Sequence, residues 1–183
     1  MSRFFISLLP PQDIQEYAND IKQYFADKYT SDSAQKSPPH ITLQPPFEWA
    51  DTSISSLETS LQTFAIQQHS IPITFNGFAA FPPRVIYINV VKSQELLNLQ
   101  TNLITYLETN LKIIDQVEKT RPFVPHLTVA FRDLTKQNFR IAWPEFVHQQ
   151  FDCKYTATYL TLLLHDGNCW NVKSEFPFLP SVK

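Results

Sequence analysis

Pro39-His40-Ile41-Thr42-Leu43 and Pro125-His126-Leu127-Thr128-Val129 carry one pattern twice: proline, histidine, aliphatic, threonine, aliphatic. Aliphatic and polar positions alternate, which predicts a half-buried strand in each copy. Residues two apart on a strand share a face. His40 and Thr42 therefore point one way while Ile41 and Leu43 point into a core, and His126 and Thr128 oppose Leu127 and Val129 in the same manner. Proline is tolerated at the first residue of a strand, so each histidine is expected at the mouth of its strand. Two such strands half a chain apart imply an internal duplication. The expected fold is α+β: two pseudo-symmetric lobes of antiparallel sheet with flanking helices, a cleft between them, and one His-x-Thr strand given to it by each lobe.

Working outward, residues 3–9 predict a strand buried on both faces. Residues 11–29 predict a helix, because Ile14, Tyr17, Ala18, Ile21 and Phe25 recur at three- and four-residue steps. A polar loop from Thr30 to Pro39 delivers the first motif. Residues 53–68 predict a second helix with Ile54, Leu57, Leu61, Phe64 and Ala65 inward and a capping box from Ser55 to Glu58. Strands are expected at 71–79 and 85–91, joined at Phe81-Pro82-Pro83. A third helix, 94–111, is capped by Ser93. A connector from Lys112 to Pro125 leads to the second motif strand, 126–132. Residues 135–146 carry a weak helical pattern and 151–165 one or two strands. Asp166-Gly167 marks a hairpin turn with a return strand at 169–176.

The chain has 183 residues, 43% hydrophobic and 14% aromatic, which fits one folded domain, residues 1–183. A net charge of -2 argues against an extended nucleic-acid footprint, since that shows as a basic surface. A small substrate, or the end of an RNA, needs only a local positive site. Cys153 and Cys169 are too few for a disulfide framework and are read as reduced. No run of about 18 apolar residues predicts a membrane span, and no signal peptide is evident near Met1, so a cytoplasmic monomer is the expectation. With two glycines in the whole chain, neither a P-loop nor a dinucleotide fingerprint can be written. His40 and His126 have no carboxylate or cysteine at ligand spacing, so no metal site and no cofactor are expected.

The paired motifs, the first strand Arg3-Phe4-Phe5-Ile6-Ser7-Leu8 running into Pro10-Pro11, and the stretch Phe81-Pro82-Pro83-Arg84-Val85-Ile86-Tyr87-Ile88 together resemble the 2H phosphoesterase superfamily. The similarity is greatest to its branch of 2'-5' RNA ligases and RNA 2',3'-cyclic phosphodiesterases, and it covers most of the chain. It implies the same bilobal fold and a cyclic phosphodiesterase acting on 2',3'-cyclic ends of RNA or nucleotides, with 2'-phosphate products. Reverse 2'-5' ligation is a related outcome, and a non-catalytic module binding RNA ends or nucleotides is the alternative.

The chemistry suits the residues. Opening a cyclic phosphate needs a base on the attacking oxygen and an acid on the departing one. Histidine serves both roles because its free pKa is about 6.5. Threonine hydroxyls donate to the non-bridging phosphate oxygens. His40, Thr42, His126 and Thr128 are thus the candidate catalytic set, with the roles of the two histidines left open. Arg132 and Arg84 are the candidates for binding phosphate. Arg132 follows His126 by an even offset, which in a regular strand puts it on the same face, although the family's arginine stands one residue earlier. Arg84 matches the family's middle arginine. His69 and His148 read as surface residues and His165 as a turn residue. Phe5, Phe47, Phe81, Phe123 and Tyr87 lie near the motif strands and suit either base stacking or core packing.

Overall fold

Two four-stranded antiparallel sheets carry the chain, and the computed structural model describes residues 1–114 and 121–180 of it. Strand β1 (Ser2–Leu8) is buried from Phe4 to Leu8 because it is an inner strand covered on both faces. Helix α1 (Gln12–Tyr29) follows Pro11, whose missing N–H costs nothing at a helix start. Its buried face is Ile14, Ala18, Ile21 and Phe25. It ends where Thr30 turns left-handed (φ 52°), with the N–H groups of Thr30 and Ser31 closing on the carbonyls of Ala26 and Phe25. Strand β2 (Ile41–Trp49) then runs back beside β1.

Helix α2 (Ile54–Ala65) leads to strands β3 (Ile71–Phe81) and β4 (Val85–Val90). The capping box is not formed: α2 starts after Ser53 without a side-chain cap, and Glu58 instead accepts a hydrogen bond from Ser174 on a neighbouring strand. Helix α3 (Gln94–Tyr106) is capped by Ser93 Oγ, which accepts from the Leu96 N–H, and its last expected turn is a π turn, Leu107–Leu111. The expected connector of residues 112–125 lies partly outside the described residues.

Strand β5 (His126–Ala130) stops two residues short of expectation. Helix α4 (Lys136–Phe146) is complete despite Pro144 inside it: Thr135 caps it by accepting from the Asn138 N–H, and Phe139, Ala142 and Phe146 are buried. Residues 151–165 divide into β6 (Asp152–Ala157) and β7 (Tyr159–His165), which enter different sheets. Strand β8 (Trp170–Pro177) returns through a hairpin at Gly167, whose φ of 104° suits glycine.

The sheet orders are β2-β1-β7-β8 and β5-β4-β3-β6. The run β1-α1-β2-α2 is repeated as β4-α3-β5-α4, so the duplication read from the motifs extends to the topology. Both motif strands are edge strands, and they approach each other across a seam between the sheets. Each crossover helix leans on the other half's motif strand, α1 on β5 and α3 on β2. One contiguous buried cluster spans both halves and includes Ile41, Leu43, Leu127 and Val129, each no more than 1% exposed. Among the described residues no helix is long and apolar enough to cross a membrane. Cys153 and Cys169 are both free.

Candidate active site

Each histidine is fixed by its own backbone. His40 Nδ1 lies 2.7 Å from the Pro38 carbonyl oxygen, and His126 Nδ1 lies 2.6 Å from the Val124 carbonyl oxygen. A carbonyl only accepts, so Nδ1 carries the proton in both rings and Nε2 is the atom left for proton exchange. The intervening prolines, Pro39 and Pro125, are buried and help hold these short turns. Aromatic neighbours seat the rings at corresponding places in the duplication. Phe5 of β1 lies 4.7 Å from His40, and Tyr87 of β4 lies 5.1 Å from His126, with Phe81 edge-on at the same distance. Phe47 packs on Phe4, and Phe123 packs against the core.

A cavity of about 330 Å³ opens at the seam, and its lining brings His40, Thr42, His126 and Thr128 together. All four side chains are half-buried. Burial holds the His40 imidazole down to about pKa 4, aided by the positive charge of Lys22 and by His126, while the Pro38 carbonyl pulls the other way. Burial also lowers His126, against the Val124 carbonyl. Lys22 lies beneath the first motif, 2% exposed, with its Nζ donating to the Ser37 carbonyl at 2.9 Å. Burial lowers its ammonium to about 8.

Arg132 lines the same cavity, but not by strand alternation. It lies beyond the end of β5 in a left-handed conformation (φ 61°), its guanidinium 4.8 Å over the Phe131 ring. A non-glycine residue held there marks a constrained backbone. The next residue supplies a constraint: the Asp133 carboxylate accepts from Ser31 Oγ and from the N–H groups of Asp32 and Ser33, all at 2.8–2.9 Å. Burial disfavours this carboxylate, but these bonds outweigh it and hold its pKa below the usual range. The result is a clasp between the second motif and the 3₁₀ turn Ser33–Lys36, which carries Lys36 into the cavity wall.

Arg84 is not brought to this cavity; it is exposed in the turn between β3 and β4. His69 and His148 are exposed as expected. His165 departs from its reading as a turn residue, because it closes β7 and lines the cavity with Trp170, Arg3 and Phe5. Arg3 and Trp170 were missed because only strand order shows that β1, β7 and β8 share one wall. The signal that could have found Arg3 is alternation, since residues two apart on a strand share a face and Phe5 lies beside His40. The described cavity lining contains Arg3, Lys36 and Arg132 and no carboxylate. Among the described residues, no group of three His, Cys, Asp or Glu side chains could hold a metal ion. Two Nε2 atoms, two hydroxyl donors and fixed cations form a set suited to hold a phosphate and to pass a proton on and off its oxygens.

Known proteins share this architecture. The Thermus thermophilus protein TT0787 superposes with a TM-score of 0.72 at 17% identity, covering 98% of this chain and 100% of that one. Escherichia coli LigT complexed with 3'-AMP superposes at 0.60 and 17% identity, covering 97% and 98%. In sequence, a predicted phosphoesterase of Geobacillus sp. (strain WCH70) is 28% identical over 177 residues, 95% of each chain. Another, of Bacillus cereus (strain B4264), is 31% identical over 126 residues, 68% of this chain and 66% of that one. The profile of the 2'-5' RNA ligase superfamily matches residues 10–168. The chain belongs to the 2'-5' RNA ligase superfamily, among the 2H phosphoesterases.

Proposed function

We propose that the protein hydrolyses 2',3'-cyclic phosphate ends of RNA or nucleotides to 2'-phosphates, using His40 and His126 as base and acid. The observation that carries this reading is the pair of imidazoles on one cavity, both with Nδ1 tied to backbone and Nε2 free. His40, desolvated by burial and with Lys22 behind it, holds a proton poorly and serves as base. Its Nε2 takes a proton from water as the water oxygen bonds to phosphorus. The bond from phosphorus to O3' breaks, and His126 Nε2 gives O3' its proton. The products are a 2'-phosphate and a 3'-hydroxyl. Thr42 and Thr128 donate to the non-bridging oxygens, and Arg132 and Lys36 balance their charge. The bound anion also raises the affinity of His126 for the proton it must give. With an RNA 5'-hydroxyl in place of water, the same steps make a 2'-5' linkage, which is the activity the family name describes. No step requires a metal ion. The nucleotides bound in LigT, 3'-AMP, ATP and NADP+, favour a nucleotide-type substrate.

The test is a panel of 2',3'-cyclic mononucleotides and cyclic-ended oligoribonucleotides, with products resolved as 2'- or 3'-phosphates, run with and without EDTA. The expected result is 2'-phosphate formation that survives EDTA. Binding without turnover would favour the non-catalytic module, and activity lost to EDTA and restored by one divalent metal would overturn the metal-free steps.

A further inference from the structure

The cations on this cavity stand in two places. Arg132 and Lys36 lie on the side closed by the Asp133 clasp. Arg3 lies on the other sheet, on β1, one strand beyond the motif strand β2. Phe5, which touches His40, shares a strand face with Arg3 two residues away. Arg3 therefore stands about 7 Å along the strand from the ring that seats His40, beside the motif rather than at it.

The Arg3 side of the cavity is built from rings. Trp170 of β8 lies under the guanidinium, 5.6 Å from its carbon to the ring centroid, and is itself packed 4.7 Å from Phe5 and from His165. Stacking on an aromatic face fixes the planar guanidinium while leaving its N–H edge free for an anion. Glu48 stands opposite Arg3 on β2, but no ion pair joins them among the described residues. His165 adds a donor. Its Nδ1 accepts from the Gly167 N–H at 3.2 Å, which places the proton of the neutral ring on Nε2. This is the opposite tautomer to His40 and His126, so the third histidine offers an N–H to a ligand rather than a base.

We propose that Arg3, stacked on Trp170 and flanked by His165, forms a second anion subsite of this cavity, taking a phosphate carried on the 5' side of the nucleotide whose cyclic phosphate meets His40 and His126. The inference deepens the function proposed above and rests on it for where the first phosphate sits. It names the preferred substrate as a nucleotide with a 5'-phosphate, either a free monoester or the phosphodiester of an RNA chain, over a cyclic mononucleotide without one.

Calorimetric titration of adenosine 2'-monophosphate and adenosine 2',5'-bisphosphate into the wild type, Arg3→Gln and Arg3→Lys tests it without requiring turnover. A charge-assisted contact to phosphate is expected to tighten binding of the bisphosphate by about tenfold or more. The ratio of the two affinities should collapse toward one in Arg3→Gln and recover in part in Arg3→Lys, with circular dichroism confirming each fold. Equal affinities in the wild type, or a preference that persists in Arg3→Gln, would overturn the subsite. A preference that depends on Arg3 in a protein that opens no cyclic phosphate would leave the subsite standing and overturn the hydrolytic function instead. Kinetics on adenosine 2',3'-cyclic phosphate, its 5'-phosphorylated form and a cyclic-ended dinucleotide then distinguish the sources. A gain in kcat/KM for the 5'-monoester alone assigns a free phosphate, and a gain for both assigns the RNA chain.

Discussion

The strands β2 and β5 carry the same five-residue pattern and the same histidine-to-carbonyl bond, yet they differ in the charge around them and in the path of the chain beyond them. A buried lysine lies behind His40, whereas His126 is seated by Phe81 and Tyr87. Strand β2 runs on for nine residues to Trp49, whereas β5 stops after five and turns through Arg132 into the cavity wall. A repeat thus supplies two interchangeable parts, and the flanking residues make them unequal. The inequality is the ground on which base is proposed for one and acid for the other.

The strongest way to break the comparison is to remove each half of it. Replacing His40 or His126 by Ala is expected to lower kcat by about 10²–10⁴-fold each. The double variant should lose less than the product of the two, because acid and base act in one transition state. Steady-state kinetics on folded variants check this, and full activity in either single variant would refute the pairing. Arg132→Ala removes the feature that only the second motif has. It should lower kcat/KM by about 10–100-fold, as expected for a lost charge-assisted contact, and near-normal kinetics would confine Arg132 to the wall.

Lys22→Met erases the feature that only the first motif has. With the positive charge gone, His40 binds its proton more readily, so the acidic limb of the kcat/KM profile should move to higher pH. A limb that stays in place would show that Lys22 does not set the proton affinity of His40. The smallest effect expected is on stability. His40 and His126 both have pKa values lowered by folding. The unfolded chain therefore binds more protons as pH falls below about 6.5, and stability should be full above that value and lost progressively down to about 4, where His40 protonates in the folded state. Urea denaturation between pH 7 and 4.5 should show this slope, and His40→Ala should flatten it; an unchanged slope would place the titrating group elsewhere.

Much of this was legible in the sequence for one physical reason: alternation and helical periodicity are local. Ile41, Leu43, Leu127 and Val129 point inward and His40, Thr42, His126 and Thr128 outward, as a period of two requires. What local pattern could not show is which strands lie side by side. The pair Arg3 and Phe5 is far in the chain from the pair His165 and Trp170, and they share one wall only because β7 lies between β1 and β8. Arg132 reached the cavity for a reason other than its even offset, since a left-handed backbone breaks the strand first. Arg84, chosen by resemblance, is exposed in the turn between β3 and β4 and does not line the cavity.

The Nδ1–carbonyl bonds have a consequence for successive turnovers. With Nδ1 tied to backbone in both rings, each ring's bare Nε2 is its one port for protons. In the proposed hydrolysis a proton enters one ring and leaves the other, so the enzyme finishes each cycle with its charge on the opposite strand. It is then primed to run the reaction backwards until solvent or buffer returns the proton. Loss of the proton from His40 and recharging of His126 are then a step of the catalytic cycle in their own right, faster in concentrated buffer than in dilute.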